Sequence, residues 1–144
     1  MSAAALRSQL DEHISDMYAT GILDEYYYQQ LQSPQDDGFV PEVINMFLRD
    51  ADRMLNDITS LLNLPVVDFE MVGELVHQLK ACSCSVGARK VNLACEHFRQ
   101  FYKAKSKEGC LTALNLLRNE FYDVRDRLQA IMQLEQQIAA LGPK

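Results

Sequence analysis

Apolar residues recur along this chain every three to four positions and almost nowhere alternate strictly, a pattern that predicts helices from end to end. Leu6, Leu10, Ile14 and Met17 stand at i, i+4, i+8 and i+11, predicting a first helix over about Ser2 to Tyr18 that Thr20-Gly21 ends. A short second helix is expected over about Leu23 to Leu31, and Ser33 to Gly38 reads as a loop. A long third helix over Phe39 to Leu62 carries Val43, Phe47, Met54, Ile58 and Leu61 along one side, with Pro41 suited to its first turn. Leu64-Pro65 breaks the chain, Asp68 is a good N-cap for a fourth helix to about Val86, and Gly87 offers a turn. Val91, Cys95, Phe98 and Tyr102 mark the inner stripe of a fifth helix over about Ala88 to Ala104. Ser106 caps the last helix, apolar along Leu111, Leu114, Leu117, Phe121, Val124, Leu128, Ile131 and Leu134 and closed by Gly142-Pro143. Strand signals are absent: no Asn-Gly or Asp-Gly hairpin joins alternating segments, apart from the Asp37-Gly38 loop. The expected fold is all-α, an antiparallel four-helix bundle with two additional N-terminal helices, in a single domain over residues 1–144.

Composition narrows the function classes. A chain of 144 residues, 48% apolar and 24% charged, can bury one real core. Its net charge of −6 argues against nucleic acid as a partner, because phosphate contacts need clustered Lys and Arg. No apolar run approaches the roughly 20 residues that span a bilayer, so no membrane role is expected. The start, Met1 to Arg7, lacks the apolar stretch of a secretory signal, and Cys82, Cys84, Cys95 and Cys110 are expected as reduced thiols of a cytosolic or nuclear protein.

The candidate chemistry lies on the fourth helix. At about 100° per residue, with Val72 as zero, Val76, Leu79, Ser83 and Val86 fall within roughly 40° and form its core face. His77 then lies at about 140°, nearly opposite, on an outer face shared with Gly73, Ala81, Cys84 and Ala88, none larger than a thiol. Lys80 stands one turn further on, within side-chain reach of the imidazole. An outward histidine among small side chains is open to a large partner. The same small residues could equally mark close packing by a neighbouring helix. An imidazole, with an ordinary pKa of about 6.5, is often neutral at cellular pH, so a ring nitrogen can attack phosphorus while an ammonium neutralises the phosphoryl oxygens. The pair Cys82 and Cys84 looks like a metal motif, but on a helix the thiols diverge by about 200° and cannot share one ion, so no metal site is expected. His13 and His97 lack the small-residue setting, and Arg99 is a candidate to reach toward His77 from the neighbouring helix.

The run His77-Gln78-Leu79-Lys80, followed by small residues up to Val86-Gly87-Ala88, resembles the phosphoacceptor motif of histidine-containing phosphotransfer proteins. That family's pattern is His-x-Leu-Lys-Gly, with a glycine ten positions after the histidine. Phe69, the stretch Cys95 to Arg99, and Glu120-Phe121-Tyr122-Asp123 through Leu134-Glu135-Gln136-Gln137 look like the plant type, so the resemblance covers nearly the whole chain. It implies that His77 takes a phosphoryl group from a receiver Asp of a hybrid histidine kinase and passes it to a receiver Asp of response regulators. It further implies a cytokinin-type relay in cytoplasm and nucleus, with Lys80 as the phosphate-facing cation. The receiver would bring the Asp and the Mg²⁺, so the chain is expected to be a stoichiometric carrier rather than an enzyme, a monomer without a cofactor of its own. Receiver docking is expected at Ile14, Met17, Tyr18, Ile22 and Leu23 of the N-terminal helices, beside Gly73, Ala81, Cys84 and Ala88. The chain departs from the pattern at Ala81, where the family has Gly, and at Cys82 and Cys84, where the plant type usually has Ser. The added methyl of Ala81 stands where the receiver approaches, so slower transfer is expected. The alternative is a non-transferring adaptor that competes for the same receivers; the presence of both His77 and Lys80 favours the carrier.

Overall fold

The computed structural model describes residues 2–25 and 39–141. Helix α1 runs Ala3–Ala19 and begins where Ser2, extended, accepts the amide hydrogen of Ala5 on its Oγ at 3.1 Å. After Thr20 and Gly21 (φ 77°) the chain doubles back, and the carbonyl of Met17 accepts the amides of both Ile22 and Leu23. Gly21 takes that left-handed conformation without the strain a Cβ would bring. Leu23 then pairs with Ala88 as an isolated antiparallel bridge. The expected second helix therefore does not begin at Leu23, which is extended. Its remainder from Tyr26 to Leu31, and the expected loop from Ser33 to Gly38, lie outside the described residues.

Four further helices form the body. Helix α2 is Phe39–Leu62, α3 is Phe69–Ser85, α4 is Arg89–Lys103 and α5 is Lys107–Ala140. Asp68 caps α3 by accepting from the Met71 amide at 3.1 Å, and Ser106 caps α5 by accepting from the Gly109 amide at 3.1 Å. Helix α2 packs on α3, α3 on α4, α4 on α5 and α5 back on α2, which closes a four-helix ring around one core; α1 lies against α5. Ile44, Phe47, Leu55 and Ile58 of α2 meet Leu117, Phe121, Val124 and Leu128 of α5 in that core, with the Phe47 and Phe121 rings edge to face at 6.0 Å. The buried residues of α5 from Cys110 through Leu114, Leu117, Phe121, Val124, Leu128 and Ile131 alternate steps of four and three, the 3.5-residue seam of antiparallel bundles. Leu111 is exposed because it stands one residue off that seam, where Cys110 takes its place; Leu134, at the seam's far end, is half-buried. No described helix is long and apolar enough to cross a membrane.

The α3–α4 junction sets the orientation of the candidate face. Gly87 takes φ 72°, its carbonyl accepts the Asp24 amide at 2.7 Å, and the Arg89 amide donates to the Ile22 carbonyl at 3.1 Å. The N-terminal segment thus straps the turn at which α3 ends, and Met17, Ile22, Leu23 and Ala88 are buried beneath it.

Candidate functional site

The stripe Val72, Val76, Leu79, Ser83 and Val86 is buried, as helical spacing requires, and this turns His77 outward into solvent. Ser83 is the one polar member, and its hydroxyl donates to the Lys80 carbonyl at 2.7 Å, so its burial leaves no unsatisfied group. His77 and Lys80 line one surface groove of about 380 Å³ between α3 and α4, together with Glu74, Glu96, Arg99, Tyr102 and Lys103. A wider depression of about 770 Å³ lies along α1 from Ala4 to Ala19, but one helix alone lines it and it holds none of the candidate groups.

The ammonium of Lys80 does not stand free. Its Nζ lies 2.8 Å from Oε1 of Glu96, with the two side chains 35% and 55% exposed. The Lys80 hydrogen bond and charge, with a smaller contribution from Arg99, hold the Glu96 carboxyl below the usual carboxylate range. Asn92 ties the two helices a turn further on, its Nδ2 donating to Cys84 Sγ at 2.9 Å and to the Lys80 carbonyl at 3.3 Å. Arg99 faces the same groove as His77, as the sequence suggested. Glu96 was not foreseen. The available signal was the spacing of Asn92, Glu96, Arg99 and Lys103, which sets one polar stripe along α4 against the outer edge of α3.

The small residues around His77 divide into two kinds. Ala81 and Cys84 are exposed and leave the approach to the imidazole open. Gly73 is buried: a Cβ there would lie 2.8 Å from Cε1 of Tyr102, so the glycine exists to let that ring lie on α3. Ala88 is fully buried because α3 has already ended at Ser85, and helical angles extrapolated past Gly87 no longer apply. Gly73 and Ala88 are therefore buried packing positions rather than open docking surface, although Gly73 also lines the groove beside His77. The same correction holds on the N-terminal segment. Met17, Ile22 and Leu23 are buried in the core, while Ile14 and Tyr18 are half-buried against it. Burial, with the charge of Glu25 second, pushes the Tyr18 phenol up. His13 is exposed on α1, and His97 packs edge-on against Phe101 at 5.3 Å. Neither lines the groove.

The arrangement offers a solvent-open imidazole on a rigid helix, an ammonium one turn away and further cations on the facing helix. No group of three or more His, Cys, Asp or Glu side chains among the described residues could hold a metal ion. A nucleophile with cations and open space suits a phosphoryl group delivered by another molecule.

Comparison with known proteins gives the same direction. The family model of the Hpt domain matches residues 42–141. A curated relative, histidine-containing phosphotransfer protein 2 of rice (Oryza sativa subsp. japonica), is 53% identical over 100% of this chain and 99% of its own. The crystal structure of a maize histidine-containing phosphotransfer protein superposes with a TM-score of 0.87 at 50% identity, covering 92% of this chain and 99% of that one. Another, from Medicago truncatula, superposes at 0.91 with 35% identity and 96% of each chain covered.

Proposed function

The chain belongs to the Hpt family of histidine-containing phosphotransfer carriers, and on that premise we propose that His77 is its phosphoacceptor and Lys80 the cation that faces the phosphoryl group. The observation that carries this reading is the outward imidazole of α3, exposed beside Lys80 on a helix whose opposite face is sealed in the core. A neutral ring nitrogen attacks the phosphorus of a receiver's aspartyl phosphate; the N–P bond forms as the O–P bond breaks, and the carboxylate leaves with its electron pair. The second ring nitrogen keeps its proton. The receiver supplies the Asp and its Mg²⁺, and this chain supplies the nucleophile and a neutralising ammonium. The reverse step, with a second receiver, discharges the carrier.

We place the chain as a monomeric, single-domain shuttle between receivers of hybrid histidine kinases and those of response regulators, in cytokinin-type signalling across cytoplasm and nucleus. What supports that finer assignment is the likeness to plant relatives over the full chain. Docking centres on the open surface around Ala81 and Cys84, with Ala81 slowing the approach by one methyl group. Incubation with a labelled, phosphorylated receiver domain tests the reading. His77→Gln is expected to take up no acid-labile phosphate, and Lys80→Ala to load at a reduced rate. Undiminished labelling of His77→Gln overturns the assignment, and tight receiver binding without any transfer to the wild-type chain leaves the adaptor reading instead.

A further inference from the structure

The groove contains a carboxylate where a phosphocarrier would be expected to concentrate positive charge. Glu96 projects from α4 and takes the ammonium of Lys80 at 2.8 Å. An ion pair this exposed is weak and readily exchanged, because water competes for both partners. Arg99 stands three residues further along α4, lines the same groove, and already lowers the Glu96 carboxyl through its charge. Glu96 therefore has two cations within its reach, of which Lys80 holds it.

We propose that Glu96 is a positioning residue that acts through Lys80: it holds the ammonium in the unphosphorylated protein and yields it to the phosphoryl group on His77, exchanging Lys80 for Arg99. The inference rests on His77 as the phosphoacceptor. A phosphoryl group brings close to two negative charges at neutral pH, so it outcompetes a single carboxylate for the ammonium and repels Glu96 toward the guanidinium. The consequence is a tempered phosphohistidine. Lys80 still stabilises the phosphorylated state, but part of that stabilisation is offset by the contact it gives up. A carrier that must discharge as readily as it loads benefits from that balance, since a deep well at His77 would trap the group.

The experiment measures the transfer equilibrium between a phosphorylated receiver domain and the chain, then onward discharge to a second receiver. Glu96→Gln keeps the side-chain shape and removes the charge. It is expected to shift the loading equilibrium toward phosphohistidine by about two- to fivefold, the scale of one exposed charge contact, and to slow discharge by a similar factor. Both effects should shrink at about 1 M salt, where the screening length falls to about 3 Å. In a Lys80→Ala background most of the shift should vanish. An equal shift with and without Lys80 overturns the proposal, because Glu96 would then act only through its field. So does reduced loading of Glu96→Gln. Loss of labelling in His77→Gln, measured alongside, shows separately whether the phosphoacceptor assignment holds.

Discussion

The four thiols range from core to open surface, and that difference in burial sets their reactivity. Cys95 is buried in the core, and burial pushes its thiol up to about 12, with nearby Lys80 only partly opposing. Cys110 is likewise buried and raised to about 11. Cys82 is half-buried and raised by burial, then by Asp50. Cys84 is exposed, two turns along α3 from His77. Since the thiolate is the nucleophile, iodoacetamide at pH 8 is expected to modify Cys84 first and Cys82 more slowly, sparing Cys95 and Cys110 until the chain unfolds. Peptide mass spectrometry over a time course reads the order; early modification of Cys95 in the native protein would contradict it. The buried pair also sets an alkaline limit. Their folded values lie above the ordinary thiol value of 9.0, so the folded state keeps protons that the unfolded state releases. Their contribution to stability is complete below about pH 9 and is lost as pH rises toward about 12. The orientation of Cys84 was legible from helical angle alone. The fate of Gly73, on the same outer face by that angle, was not, because a single helix cannot reveal whether Tyr102 or another protein will cover it.

Among elements, α5 outgrows the bundle. At 34 residues it spans about 51 Å, against about 36 Å for α2 and less for α3 and α4. Helix α1 lies against it, and Arg127 bridges to Asp16 of α1 at 2.8 Å and to Asp123 of its own helix at 3.3 Å. Near the far end, Glu135 is half-buried and burial raises its carboxyl above the ordinary value. A carboxyl raised in the folded state takes up its proton at higher pH there than in the unfolded chain. Acidification through the carboxylate range therefore stabilises the fold at this position, while at pH 7 the buried charge is a cost. Glu135→Gln is expected to raise stability at pH 7, because it removes the partly desolvated charge. That gain should fade on acidification and disappear by about pH 3, where a glutamate carboxyl is protonated in both states. Denaturant melts of both proteins at the two pH values measure it, and an equal difference at each would show that desolvation of the charge is not the cause. Helix limits were largely legible: Asp68 and Ser106 cap where expected, and α2 ends at Leu62. The caps and the 3.5-residue seam are local signals, carried within a few turns of chain. The Lys80–Glu96 pair is not local, since it depends on how α3 and α4 cross, and no spacing within either helix encodes that.

For the molecule as a whole, the decisive feature is that the N-terminal segment reaches across to the turn beside the candidate site and buries its large apolar side chains Met17, Ile22 and Leu23 in the core. The family match begins at residue 42, yet Met17, Ile22 and Leu23 complete the core that begins there. Leu23 meets Ala88 some 65 positions away as an extended bridge, a pairing that no hydrophobic period announces. The bonds from Asp24 to Gly87 and from Arg89 to Ile22 then fix the turn where the His77 helix stops. An apolar residue near a docking face can serve the face or the core, and burial assigns Leu23 to the core. Truncating it removes packed volume from a closed interior, so Leu23→Ala is expected to cost about 2–5 kcal/mol of stability. The amide of Arg89, whose acceptor is the Ile22 carbonyl, should exchange with deuterium faster in the variant, while amides in the middle of α2 change only as global stability does. Receiver affinity, measured where the variant remains folded, should stay close to wild type, because Leu23 presents almost no surface to a partner. If Leu23→Ala instead keeps its stability and loses receiver binding, the residue belongs to the docking face and the strap is not what orders the turn.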